Sequence, residues 1–454
     1  MKKAFLIFTL ITTGCATTSP VLEPQVTAAP GWNEASTAGA AAVSADWWHA
    51  FGSTELQGLV DAALAGSPDM AIAVERVRQA DAQVRVAGAS LFPQLDVAAS
   101  SSARASHDQG VTSKTENSGA TLSASYELDL WGRNAAGVRG AEAALRATAF
   151  DRDTARLTLI AGVANAYFEV LSLRGRLSNA TENVAIAERV LALVQARARN
   201  GAVSPLDVAR QEAAVLSQRA ALLPLEQQER QTLAALAVLI GRVPEGFDVQ
   251  ARGLAELAVP SVSPGLPADL LVRRPDLAAA EAQLVSSNAD LAAARAALLP
   301  SIQLTGSAGI ASGALLGFLS GGTATAALAA SVLQPIFDGG RLKGQVSIAE
   351  SRERELVETY RKAILAAFAD VESALAAATR LQQREVLQTQ VEERAREALR
   401  LAEIRYREGA DDLLSVLDAQ RTLFDAQDQL AQVRRDRLDG AVALFKALGG
   451  GWQA

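Results

Sequence analysis

At 454 residues the chain is long enough for about three globular domains. Aromatics are only 5% of it, while Ala, Leu, Gln, Glu and Arg crowd the long runs, the composition of long helices packed closely on one another. A formal net charge of −7 excludes bulk attraction to nucleic acid, and two histidines in unlike contexts beside a single cysteine exclude a structural metal site.

The N-terminus reads as a signal rather than as part of the fold. Lys2-Lys3 followed by Ala4 to Ile11 is a basic segment and a short apolar one, a signal peptide over residues 1–14. Cys15 follows Gly14 directly, where a cleavage site belongs. This resembles a bacterial lipoprotein signal, in which the cysteine carries a covalent lipid such as palmitate; Thr12 stands where Leu is usual, and Ala16 gives no inner-membrane retention signal. Residues 15–45, rich in Ala, Pro, Ser and Thr and without periodicity, form a lipidated extended tether. No later apolar stretch is long enough for a spanning helix, so a membrane span must be made of strands.

Asp46-Trp47-Trp48-His49-Ala50-Phe51 opens the first of two repeats, residues 46–240, and its aromatics fit core packing at a helix entrance better than a ligand site. A helix from Pro68 ends before Pro93. The period then becomes two: Leu95, Val97 and Ala99, and later Leu122, Ala124, Tyr126, Leu128 and Leu130, alternate with mostly polar residues. This predicts a β-hairpin over about 94–130, with arms of about ten residues, enough to cross a bilayer at a tilt, and a long polar loop from about Ser101 to Gly119. A long helix over about 134–200, a tip at about 199–206 and a shorter returning helix follow. Pro-rich residues 241–267 read as a linker. The second repeat, residues 268–450, carries a hairpin over about 301–333, a helix over about 342–408, a tip at about 407–414 and a return.

The repeats are in register. Gly201 and Gly409, Gly132 and Gly340, and Gly241 and Gly449 are each 208 residues apart, and Pro93 and Pro300 are 207 apart, so an ancestral unit was duplicated. Within the long helices Leu157, Ile160, Ala164, Tyr167 and Leu171, and Val357, Tyr360, Ile364, Ala367 and Val371, step 3-4-3-4 in coiled-coil fashion. Gly201 and Gly409 read as helix C-caps, and Ser204-Pro205 as an N-cap with Pro in the first turn. Four strands with one polar face cannot close a barrel alone, and open edges are not tolerated in lipid, so several chains must share one barrel.

Trp47-Trp48-x-x-Phe51, Tyr126-Glu127-Leu128-Asp129-Leu130-Trp131-Gly132-Arg133, Leu271-Val272-Arg273-Arg274-Pro275-Asp276-Leu277, Gln334-Pro335-Ile336-Phe337-Asp338-Gly339-Gly340-Arg341 and both tips resemble the outer-membrane factor family, TolC-like and closest to the NodT-type efflux lipoproteins. The resemblance implies a mainly α protein with membrane β, a homotrimer with a twelve-stranded β-barrel on a twelve-helix α-barrel. It implies a passive exit duct in the outer membrane of a Gram-negative bacterium, extending into the periplasm and joined through a periplasmic adaptor to an inner-membrane pump, most naturally of the RND type. No cofactor is implied beyond the lipid on Cys15. By the same resemblance Leu414 falls at an apolar ring of the periplasmic gate, Asp418 at an acidic ring, and Tyr406 at a position that holds the closed state by hydrogen bonds. Arg199, Gly201, Arg407 and Gly409 fall on the adaptor-docking tips. Ser415 stands where some members have a second Asp.

Two other classes compete. A lipid-anchored periplasmic scaffold or adaptor would carry one helical hairpin and a compact β-rich domain, whereas this chain has two hairpins with strands between helices. For an enzyme, Glu127 and Asp129 on one strand face or Arg273-Arg274 would have to act, and no nucleophile motif, phosphate loop or metal spacing accompanies them.

Overall fold

The computed structural model describes residues 26–27, 29–34, 43–108, 110–262, 264–265, 267–314 and 316–453. The signal peptide and Cys15 lie outside the described residues. A 3-10 turn, Trp47–Phe51, leads into α1 (Thr54–Gly66) and α2 (Pro68–Ala89). Then come β1 (Gln94–Asp108), β2 (Val111–Leu128), α3 (Arg133–Arg199) and α4 (Pro205–Leu239). A second 3-10 turn, Pro267–Val272, precedes α5 (Pro275–Ala296), β3 (Ser301–Ser312), the short α6 (Phe318–Gly321), β4 (Thr323–Leu333), α7 (Arg341–Arg407) and α8 (Leu413–Ala447). The duplication is visible element for element: α3 and α7 both have 67 residues, and α4 and α8 both have 35.

One unit comprises residues 76–149 and 279–361. Its centre is a four-stranded antiparallel sheet in the order β1-β2-β3-β4, so β1 and β4 are its edges. The register aligns Val97 with Leu122, Leu122 with Ala308, and Ala308 with Ala326. Because side chains alternate across a strand, this gathers Leu95, Val97, Leu122, Ala124, Tyr126, Ile302, Leu304, Leu328 and Val332 on one face. Asp96, Ser123, Ser125, Glu127, Gln303, Thr305 and Ser331 share the other. Each strand-to-helix junction is held by an aspartate. Asp129 accepts from the amides of Asn134 at 3.0 Å and Ala135 at 2.8 Å, and Asp338 accepts from those of Gly340 and Leu342, both at 2.9 Å. These carboxylates satisfy the orphan donors of the first turns of α3 and α7. The amide contacts hold the exposed Asp338 carboxyl below its usual range, the bond from Leu342 foremost.

The first hairpin corrects the expectation of a long polar loop at 101–119. β1 and β2 remain paired to Asp108 and Val111, leaving a two-residue turn with Gly110 at φ 85°. Serine and threonine mixed with charged residues such as Arg104, Lys114 and Glu116 give no hydrophobic period. Pairing needs only backbone groups and a tight turn, so sequence period alone misreads the segment.

The other unit comprises residues 26–75, 150–278 and 362–454. The aromatic opening is core: Trp47 stacks on Phe445 at 5.0 Å, and Phe51 lies 5.1 Å from Phe168. Leu159 to Leu171 of α3 pack in the same core. One window of α3 reaches a mean hydropathy of 1.2, long and apolar enough for a span, and 67% of it is buried within the protein. The segment joining the repeats packs here too, with Val249 and Val262 buried and the Arg174 guanidinium donating to the carbonyls of Val249 at 2.6 Å and Ala251 at 2.9 Å. Within the N-terminal tether Trp32 rests edge-on against Phe368 at 6.3 Å and donates to the Gly265 carbonyl at 2.9 Å. Arg274 is engaged by Asp276 at 2.7 Å, Asp370 at 3.2 Å and the Ala447 carbonyl at 3.1 Å, a structural clamp at the end of α8.

Candidate functional site

Both tips are built by the same backbone device. At the first, Gly201 takes φ 71°, and the Ala202 amide donates to the Arg197 carbonyl at 2.9 Å. At the second, Gly409 takes φ 75°, and the Ala410 amide donates to the Arg405 carbonyl at 2.9 Å. A left-handed residue here lets the chain turn back on the last carbonyls of the helix, and glycine takes it without a Cβ penalty. The returning helices start on different caps. Ser204 and Asp207 form a reciprocal capping box on α4. On α8 Asp412 accepts from the Ser415 amide at 3.1 Å.

The acidic side chains at the second tip are not equivalent. Ser415 donates its hydroxyl to Asp411 at 2.9 Å and to Asp412 at 3.1 Å, and Arg405 lies 3.3 Å from Asp411. The Ser415 hydroxyl, then the Asp412 amide and Arg405, hold the Asp411 carboxyl below its usual range. Asp418, one turn along the exposed face of α8 from Leu414, is paired with Arg421 at 2.8 Å. Leu414 is 54% exposed, while its neighbours Leu413 and Val416 are buried against Ile186, Val190, Val194 and Leu399. Leu414 and Asp418 therefore point away from the protomer's own core, one helical turn apart. Arg199, Gly201, Arg407 and Gly409 are all exposed at the tips.

Tyr406 differs from the expectation of a hydrogen-bonded latch. It is buried, and its hydroxyl has no hydrogen-bond partner among the described residues. What engages it is Arg197 of the first tip, whose guanidinium carbon lies 4.6 Å from the ring centroid and whose Nη1 donates to the Tyr406 carbonyl. A guanidinium over a ring, partly shielded from water, is attractive through the ring quadrupole. Burial pushes the Tyr406 phenol up, so it stays neutral. This contact joins the tips of the two repeats, and Arg197 was not singled out from the sequence. A signal exists: in the 208-residue register Arg197 corresponds to Arg405, and Val203 stands where Asp411 pairs with Arg405. Arg197 lacks the acid its counterpart has nearby.

Two stripes on the helices that leave and approach the tips are exposed. On α4 Leu206, Leu216 and Leu223 are 56%, 63% and 65% exposed, with Ala209, Ala213 and Ala220 completing a 3-4 spacing. On α7 Leu387, Val391 and Leu401 are 62%, 48% and 45% exposed.

The family model for outer membrane efflux proteins matches residues 59–242 and 266–450, one match per repeat. The chain is 43% identical to the pyoverdine export outer membrane protein OpmQ of Pseudomonas aeruginosa, over 100% of this chain and 98% of that protein. It is 35% identical to the toluene efflux pump outer membrane protein TtgI of Pseudomonas putida, over 87% of this chain and 85% of that one. The fold matches the outer-membrane channel OprN with a TM-score of 0.87 at 28% identity, covering 96% of this chain and 100% of that one.

Proposed function

The chain belongs to the outer membrane efflux protein family and is the outer-membrane channel of an efflux pump, in the outer membrane of a Gram-negative bacterium and reaching into the periplasm; from that premise we propose how it assembles and gates. It is a duct and not an enzyme. The scaffold or adaptor alternative is set aside, because the family match runs through both repeats.

Three copies form one conduit. The observation that carries this reading is a sheet with one apolar face, whose edge strands β1 and β4 each have an outer edge that pairs with no strand among the described residues. Four strands cannot close on themselves, and unpaired edges are not stable in lipid. Pairing β4 of one copy with β1 of the next removes every edge. The exposed stripes on α4 and α7 support the same closure at the helical level, since apolar residues at 3-4 spacing are satisfied by a neighbouring helix.

At the second tip Leu414 would form an apolar constriction and Asp418 an acidic ring around the axis, with Arg421 offsetting part of each Asp418 charge. The Arg197–Tyr406 contact fastens each copy's two tips in the closed arrangement. Arg199, Gly201, Arg407 and Gly409 form the surface for a periplasmic adaptor, which couples the duct to an inner-membrane pump of the RND type. Cys15 carries the lipid that fastens the N-terminus to the membrane. Relatives this similar are named for cargoes as unlike as pyoverdine and toluene, which supports a duct that does not itself select.

The test is the mass of the detergent-solubilised particle by sedimentation, with bound detergent subtracted. Three chains per particle are expected. A monomer would leave the sheet edges open and overturn the shared barrel.

A further inference from the structure

The two hairpins end differently. β2 pairs with β3 only over Ser118–Leu128, whereas β1 and β2 stay paired out to Asp108 and Val111. The first hairpin thus continues about 23 Å beyond the four-stranded sheet at the usual strand rise. This extension carries Arg104, His107, Asp108, Lys114 and Glu116, side chains suited to water. The second hairpin stops at the sheet. From Ser301 to Phe337 it contains no charged residue, and its connection at 313–322 holds Leu316 and Leu319, 55% and 77% exposed.

Strand alternation decides where that connection lies. The β2–β3 register is unbroken from Ser118 opposite Ser312 to Leu128 opposite Ile302. Ser118 and Ser312 therefore share the face of Ala120, Leu122, Ala308 and Ile310, the apolar one. Ser118 is buried, and its hydroxyl donates to the Ala314 carbonyl at 2.6 Å. The Ala314 amide donates to the Ser312 hydroxyl at 3.3 Å, and a Cβ added to Gly317 would meet the Ser312 hydroxyl at 2.5 Å and the Ala314 Cβ at 3.1 Å. Ala314 is thereby held over the apolar face. Leu316 takes φ 58° to make the turn, a left-handed conformation unusual for a leucine.

We propose that residues 313–314 and 316–322 form a membrane anchor whose Leu316 and Leu319 enter the boundary between acyl chains and headgroups in the outer leaflet, outside the pore. The proposal rests on the shared-barrel reading, in which the apolar face is the lipid face. Its occupant is lipid because the segment continues that face without a charge, at the level where the charged extension of the first hairpin begins. The outer mouth is then bounded by the first hairpin, and the second connection leaves the conduit unobstructed.

The full chain, reconstituted in phosphatidylcholine vesicles, is spin-labelled at Leu319→Cys, with Leu328→Cys as a reference on the middle of the apolar face and Asp108→Cys as a reference for water. The signal of the unsubstituted chain, which reports any label on Cys15, is subtracted. Collision with dissolved oxygen relative to a water-soluble nickel chelate is measured at each site. The ratio at Leu319→Cys is expected to lie with Leu328→Cys, several-fold above Asp108→Cys, and Leu319→Glu is expected to leave single-channel conductance unchanged. A Leu319 label that behaves as Asp108 does, while Leu328 remains in lipid, overturns the anchor and leaves the barrel standing. A Leu328 label in water overturns both. Altered conductance in Leu319→Glu puts the segment in the ion path and overturns the anchor.

Discussion

In the proposed gate the acid that would set ion preference is one member of a pair rather than a lone carboxylate. Asp418 and Arg421 are one turn apart, exposed, and 2.8 Å from each other. An exposed pair is worth little to stability, so its members can be changed without unfolding the helix. Removing the cation should expose the acidic ring and removing the acid should abolish it. Arg421→Ala is therefore expected to raise cation preference and Asp418→Ala to lower it, read as opposite shifts of reversal potential in a salt gradient. Identical potentials in both variants and the parent would mean that Asp418 does not face the ion path. Arg197 acts through packing and charge together. A partly shielded cation–π contact is worth about 0.5–2 kcal/mol, enough to alter the closed population several-fold. Arg197→Ala should increase the open probability of single channels in planar bilayers, and Arg197→Lys should recover only part of the closure, because an ammonium lacks the planar fork. An open probability equal to that of the parent would remove Arg197 from the latch.

At the scale of elements, the tips show how a helix pair is ended without distorting its neighbours. A Cβ on Gly409 would meet only Arg197 Nη2, at 3.8 Å, so the obstacle to a larger residue is its φ of 75° and not a clash. The strain is of the order of 1–2 kcal/mol, small beside the packing of a 35-residue returning helix. Gly409→Val should consequently leave the trimer mass intact while abolishing efflux in cells that depend on the pump. Loss of the trimer would assign the glycine to folding instead. The same elements show what a sequence discloses. The ends of α3 and α7 could be read within a residue, because glycine and the capping side chains act locally. The extent of β1 and β2 could not, because the pairing of Ser100 to Asp108 with Val111 to Gly119 depends on the facing strand.

For the whole molecule, the division of the sheet into two faces is the decisive feature. A charge at the middle of a lipid face costs about 2–4 kcal/mol, while the lumen face tolerates polar change. Leu328 is 89% exposed on the apolar face, and Ser307 lies on the polar one. Leu328→Arg should lower the yield of heat-resistant assembled protein in outer membranes. Ser307→Arg should assemble normally and change conductance. The reverse pattern would invert the assignment of faces.

Duplication, helix lengths, tip glycines and period-two strands were all legible in the sequence, because each depends on residues close together along the chain or on a repeat distance that can be counted. The proposal of several chains to one barrel also starts from the sequence, since it follows from four strands and the cost of an open edge. The tertiary structure alone decided the rest. It extended the first hairpin through a segment with no hydrophobic period, held Ala314 of the second over the apolar face, and brought Arg197 beneath the other repeat's tip to Tyr406. These contacts join residues as far as 209 positions apart. Their partners are chosen by strand register and helix packing, and neither period nor composition encodes that choice.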